Sequence, residues 1–214
     1  IGWKNRPKKP GSLKEKGWLV GYGMGGGIFG ANKGSATVKA ILKADGSLVL
    51  QSAVSDMGPG TTTAMGIIAA ESLQMPTSRI KFMLGDSDLP PGPTQGGSGT
   101  TSTLGSAVKL ICDTLKQVIK ELGIQHFPAF KNLQITDLEV KNELLIDAKN
   151  QDSQISIVAL LKLAGKPSIE ITKDSNGNNF QQIKYAFCSF SVHFVKLHVN
   201  PATGVVRLKH MVSW

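Results

Sequence analysis

The spacing of apolar residues changes period several times along the chain, and each change marks an element. Residues 35–55 alternate: Ala36, Val38, Ala40 and Leu42 face one way, Lys39 and Lys43 the other, which is the period of a half-buried strand. Asp45-Gly46 is a strong hairpin signal, and Ser47–Val54 reads as the returning strand. Residues 61–75 switch to helical spacing, with Met65, Ile68, Ala69 and Leu73 on one face and Pro76 expected to stop the helix. Arg79–Leu84 reads as a short strand, and 85–99 as a loop rich in Gly, Pro, Ser and Asp.

The strongest helical pattern covers about 101–122. Leu104, Ala107, Val108, Ile111, Leu115, Val118, Ile119 and Leu122 form one apolar stripe, and Gly123 is expected to end the helix. A small hairpin over 133–148 turns near Asn142. A third short helix is expected over Ser153–Ala164, ended by Gly165, and a loop over 174–179. Ala186–Val199 and Val205–Val212 read as two strands joined by Asn200-Pro201-Ala202-Thr203-Gly204. Upstream, residues 1–17 are an extended basic lead-in broken by Pro7, Pro10 and Gly11, and a short strand then runs into the glycine cluster that ends at Gly27. The pattern is α+β, mostly antiparallel strands with packed helices. It divides into a linker, 1–17, and a domain, 18–214, with lobes 18–148 and 152–214.

At 214 residues the chain is long enough for a real core. No apolar stretch approaches the roughly 18 residues that span a bilayer, so no membrane partner is expected. Residues 1–17 lack the apolar core of a signal peptide. The chain starts at Ile1 and ends at Trp214 inside a predicted strand, so both ends read as cut from a longer protein. The compartment, cytoplasmic or periplasmic, stays open. The net charge of +9 invites a nucleic-acid reading. However, Lys4, Arg6, Lys8, Lys9, Lys14 and Lys16 against Glu15 carry +5 of it in one segment with few aromatics to stack bases. No nucleic-acid partner is expected.

Most candidate chemistry reduces to bland readings. Gly21, Gly23 and Gly26 fit G-x-G-x-x-G, but that fingerprint needs a following helix, and Ile28–Leu42 reads as loop then strand. Cys112 and Cys188 lack partners at metal spacing and read as buried small hydrophobes. His193 and His198 are five apart in a strand and point to opposite faces, while His126 and His210 are isolated. Asp86 and Asp88 lack the other ligands of a calcium loop. No protein-ligated metal is expected.

Two stretches stand out: Asp56-Met57-Gly58-Pro59-Gly60-Thr61-Thr62-Thr63 and Gly96-Gly97-Ser98-Gly99-Thr100-Thr101-Ser102. In both, glycines let the backbone approach a ligand and hydroxyl residues open a helix. The first N–H groups of a helix are unpaired and carry positive partial charge, a ready site for phosphate or another anion. Plain N-capping by Thr and Ser accounts for the same residues, and both readings stand.

The same two motifs carry a family resemblance. Asp45-Gly46-Ser47, Asp56 through Thr63, Ala69-Ala70-Glu71-Ser72-Leu73, Gly85-Asp86-Ser87-Asp88-Leu89-Pro90, Gly96-Gly97-Ser98-Gly99 and Gly105-Ser106-Ala107-Val108 resemble, in this order, the molybdopterin-binding subunit of the xanthine dehydrogenase/aldehyde oxidoreductase family. The likeness returns at Val195–Arg207 and at Ile1-Gly2-Trp3, and is weakest over 125–180. It implies a fragment of a molybdenum hydroxylase that hydroxylates aldehydes or N-heterocycles with water. The metal would be held by the dithiolene sulfurs of molybdopterin, in bacteria often extended to a cytosine dinucleotide. Iron–sulfur clusters and FAD would lie on partner subunits. Gly58, Pro59, Gly60 and Thr61 match one cofactor loop of the family, and Gly97, Ser98, Gly99 and Thr100 the other.

Two departures bear on activity. Many family members have Gln where this chain has Pro59, which offers neither an amide side chain nor an N–H. The family's general base, a Glu in a Gly-Glu context near the end of the subunit, lies beyond this sequence, so no catalytic residue is assigned here. The upstream half of the cofactor shell also precedes Ile1. The fragment is therefore expected to be inactive without the remainder of its subunit. A non-catalytic binding or structural domain with the same fold and no molybdenum is the alternative.

Overall fold

Alternation sets the central sheet. In β3 (Ala36–Lys43), Ala36, Val38, Ala40 and Leu42 are buried, and in β4 (Leu48–Gln51), Leu48 and Leu50 are. The Asp45-Gly46 turn joins them, with the Asp45 carboxylate accepting from the Ser47 N–H at 2.8 Å and its hydroxyl at 2.7 Å. The computed structural model describes residues 1–31, 33–177, 184–185 and 187–214. They form two compact units, Asn32–Tyr185 and the paired ends Ile1–Ala31 with Ala186–Trp214. The junction expected at 148–152 lies within the first of these units.

In Asn32–Tyr185 the main sheet runs β5-β4-β3-β9, where β5 is Ile80–Met83 and β9 is Ser168–Ser175. β4 and β5 are parallel, and α1 (Thr61–Leu73) makes the crossover between them. The other strand pairs described here are antiparallel. α2 (Thr100–His126) lays its stripe, Leu104, Ala107, Val108, Ile111, Leu115, Ile119 and Leu122, into the core over this sheet. The fold is the α+β arrangement read from the sequence.

A second sheet, β6-β7-β8, packs at the far end of α2. It comprises β6 (Leu138–Lys141), β7 (Leu144–Asp147) and β8 (Asn150–Ser156). Asn142 and Glu143 both have positive φ, 50° and 61°, the type I′ geometry that suits a two-residue hairpin. The helix expected over Ser153–Ala164 begins as strand for its first four residues. Residues up to Ser156 pair in β8, and α3 covers Ile157–Leu163, started by the Ser156 hydroxyl accepting from the Ala159 N–H. Gly165, at φ 61°, follows its end as expected.

Several boundaries moved for physical reasons. α1 stops at Leu73, ahead of Pro76, because Gln74 adopts the left-handed conformation, φ 50°. Gly123 does not end α2. It is buried inside it, and a Cβ there would strike the Leu145 and Phe130 side chains, so the glycine serves close packing. β9 escaped the sequence pattern, and the 174–179 loop expectation falls partly outside the described residues, with Asp174 and Ser175 closing β9.

The paired ends form one antiparallel sheet, β1-β2-β10-β11: β1 is Lys14–Glu15, β2 Trp18–Gly30, β10 Cys188–Val199 and β11 Val206–Ser213. The glycine cluster is not a loop. β2 runs through it, because Leu19 to Gly30 pair residue for residue with β10, whose backbone supplies partners that need no side chains. The lead-in is tied down in part, since Lys14 and Glu15 pair with β2. Cys112 is buried, as expected. Cys188 is exposed, which corrects its reading as a buried hydrophobe: it lies at the open start of β10.

Candidate cofactor cleft

The two glycine loops meet. Met57, Pro59, Thr61 and Ala64 from the start of α1 and Gln95, Gly96, Gly97, Ser98, Thr100 and Thr101 from the start of α2 line one cleft of about 460 Å³. That is within the size range of small-molecule sites. Of the eight residues singled out in the sequence, Pro59, Thr61, Gly97, Ser98 and Thr100 are in its wall. Gly58 and Gly60 have φ of 119° and 81° and shape the turn behind it, and Gly99 is the residue before the first turn of α2. Ser98 has φ 56°, uncommon for a residue with a Cβ.

The two helix starts are electrostatically unlike. At α1, the Asp56 carboxylate accepts from the Gly58 N–H at 2.9 Å and from the Thr61 N–H at 2.8 Å. Those backbone donors, Gly58 first, hold the Asp56 carboxyl below the usual carboxylate range. This start already has its anion. At α2, no side chain caps the helix through Gly99, and no acidic residue lies in the first turn. The helix is 27 residues long, and among the described residues no carboxylate is in its first turn to compensate its positive end at the cleft. The Asp56 carboxylate, rather than the Thr or Ser hydroxyls of the capping reading, therefore satisfies the first loop.

Gln95 was missed, because no spacing rule marks a single amide beside a glycine run. Its Nε2 donates to the Thr61 hydroxyl at 3.4 Å, and its Oε1 is buried with no partner among the described residues. A buried acceptor left alone costs free energy, so a ligand carrying an N–H donor fits here. A molecule with an N–H edge and a phosphate would satisfy both Gln95 and the α2 start.

The remaining candidates form no site. His193 Nδ1 lies 2.9 Å from the Ser213 hydroxyl, and His198 Nε2 lies 3.0 Å from a Glu15 oxygen. Asp86 accepts from the Asp88 N–H at 2.9 Å. Among the described residues, no three His, Cys, Asp or Glu side chains are placed to hold a metal ion, and no helix is long and apolar enough to cross a membrane.

Two glycine loops at helix starts thus converge on one cleft beside a buried amide in an α+β domain. Residues 1–214 match the family described as the molybdopterin cofactor-binding domain, and the chain belongs to that family. It is 27% identical over 213 residues to the aldehyde oxidoreductase molybdenum-binding subunit PaoC of Escherichia coli K12, covering 100% of this chain and 27% of that protein. The chain thus spans about a quarter of the length of that curated relative. Among solved structures, quinoline 2-oxidoreductase from Pseudomonas putida 86 matches with a TM-score of 0.75 at 13% identity, over 92% of this chain and 27% of the other. The aldehyde oxidoreductase of Desulfovibrio gigas matches with a TM-score of 0.60 at 21% identity, over 93% and 20%. At these identities the structural matches speak for the fold, which is that of the molybdenum-cofactor-binding domain of xanthine dehydrogenase/aldehyde oxidoreductase-type enzymes.

Proposed function

We propose that this chain is part of the molybdenum-binding subunit of a molybdenum hydroxylase that oxidises aldehydes or N-heterocycles, with water as the oxygen source. The observation that carries this reading is the convergence of the two glycine loops on one cleft with the uncapped start of α2. When bound, molybdopterin supplies the metal centre and accepts the electrons of the substrate. Backbone N–H groups at Thr100 and Thr101 would hold its phosphate, with no acidic residue in the first turn to compete. Gln95 Oε1, buried and free to accept, would take an N–H of the pterin. Pro59, Thr61 and Ala64 form the opposite wall, where the charge of Asp56 keeps phosphate toward α2.

The general base and the other half of the cofactor shell come from the remainder of the subunit. Electrons leave through iron–sulfur and FAD partner subunits. The naming of the E. coli relative as an aldehyde oxidoreductase supports an aldehyde substrate.

The test is Thr101→Asp in the full-length subunit. Thr101 is exposed, and an acid in the first turn of a helix stabilises it by about 0.3–1 kcal/mol. Thermal stability is expected to hold or rise while bound pterin, measured by fluorescence after oxidation, falls. Unchanged pterin would remove the α2 start from the site, whereas no pterin in the unsubstituted subunit would favour the non-catalytic alternative.

A further inference from the structure

Charge is unevenly divided between the two units. Ile1–Ala31 with Ala186–Trp214 holds nine Lys and Arg and one acidic residue, Glu15, a net +8 of the chain's +9. Asn32–Tyr185 holds fifteen cations and fourteen acids and is almost neutral. The lone acid is already engaged: Glu15 accepts from Lys196 Nζ at 2.6 Å and lies 3.0 Å from His198 Nε2. Lys4, Arg6, Lys8, Lys9, Lys14, Lys16, Arg207 and Lys209 are all exposed, and among the described residues none is in an ion pair.

Part of this charge is gathered in a depression. Lys16, Lys196, His198, Lys209 and His210 line a hollow of about 630 Å³ around Glu15. A β-bulge helps to fill it. Lys196 pairs with His210 and Leu197 with Leu208, so Lys209 is the extra residue of β11.

We propose that this face of the β1-β2-β10-β11 sheet is a docking surface for an acidic protein segment, with carboxylates seated between Lys16 and Lys209. Charge complementarity selects the partner. A second copy of this chain is a poor occupant, because its sheet is equally positive and its other unit is nearly neutral. Nucleic acid is disfavoured because three aromatic rings of this unit already carry cations. Arg6 lies 4.0 Å from the Trp3 ring centroid, Arg207 5.0 Å from that of Trp18, and Lys196 5.9 Å from that of Tyr22. Phe29, Phe190 and Trp214 are exposed in this unit but outside the hollow, and among the described residues no Phe, Tyr or Trp lines it for a base to stack on.

The test uses the full-length subunit and a fluorescent poly-L-glutamate peptide at low ionic strength. The pair Lys16→Glu and Lys209→Glu is compared with Lys162→Glu and Lys166→Glu, exposed positions in the neutral unit with the same change in net charge. The milder pair Lys16→Gln and Lys209→Gln guards against misfolding, and circular dichroism checks each variant. The sheet pair is expected to weaken binding about tenfold or more, as reversal of interface charges does, the Gln pair to lie between, and the control pair to change it less than about twofold. Equal weakening by the control pair would reduce the effect to net charge and overturn the proposal. So would tighter binding of an oligo-dT of matched charge, which would make the surface one for nucleic acid. Displacement of the peptide by stoichiometric pyrophosphate would make it a small-anion site and overturn it too. No outcome depends on whether the chain holds molybdopterin.

Discussion

Replacing Gly123 with Ala tests the packing that sets the length of α2. In an exposed helix interior this change stabilises by up to about 1 kcal/mol, because Gly is the poorer helix former. Here the added methyl has no room: it meets Leu145 Cδ2, and Phe130 Cδ2 is 3.3 Å away. Both neighbours are fully buried, so neither can swing into solvent. Overpacking of this kind costs about 1–3 kcal/mol. Net destabilisation of up to about 2 kcal/mol is expected once the full propensity gain is subtracted. Leu145→Ala alone leaves a cavity and costs about 2–5 kcal/mol. In the double variant the new methyl fills part of that cavity, so the combined loss is smaller than the sum by about 1–3 kcal/mol. Urea denaturation followed by circular dichroism reads all four corners of the cycle. A stabilised Gly123→Ala protein, or strictly additive losses, would refute the assignment of Gly123 to close packing.

Three further outcomes follow from the same geometry. Ile111→Ala, in the buried stripe of α2, is expected to cost about 2–5 kcal/mol. Leu110→Ala, on the adjacent position that is 41% exposed, should cost less than about 1 kcal/mol by urea denaturation. Burial pushes the Cys112 thiol up to about 12, whereas Cys188 is exposed. A thiol reagent near neutral pH should therefore titrate one cysteine in the native chain and two after denaturation, and two fast equivalents in the native chain would contradict the fold around α2. Asp56→Asn should destabilise near neutrality. The Asp56 carboxyl titrates lower in the folded state, held by the Gly58 N–H first. Its contribution is thus present above the ordinary carboxylate range and lost as pH falls through the lowered value. The gap between wild type and variant should close in acid, and a gap independent of pH would count against the Asp56 cap.

Elements with a sustained period were legible in the sequence: β3 and β4 by alternation, α2 by its stripe, and the Asn142 hairpin by its turn. The failures had local causes. The glycine run of β2 has no side-chain period, and only its pairing with β10, about 160 residues away in sequence, makes it a strand. Gly123 carries the signal of a helix end, and only Leu145 and Phe130 reveal it as a packing position. Ser153–Ala164 mixes strand and helix within one apolar run, which periodicity cannot divide. The candidate loops were visible as glycine-hydroxyl motifs. What the sequence hid was their asymmetry: Asp56 folding back onto one helix start, and Gln95 reaching Thr61 from the other loop.

The central claim, that the cleft between the starts of α1 and α2 holds molybdopterin, is tested most directly by cofactor content. The full-length subunit would be co-expressed with its partner subunits beside a verified enzyme of the family in the same host. Molybdenum would be measured by elemental analysis and pterin by fluorescence after oxidative release. The expected result is stoichiometric molybdenum and pterin in both proteins. A loaded control beside an empty subunit would contradict the claim and leave the family fold serving as a binding domain without molybdenum.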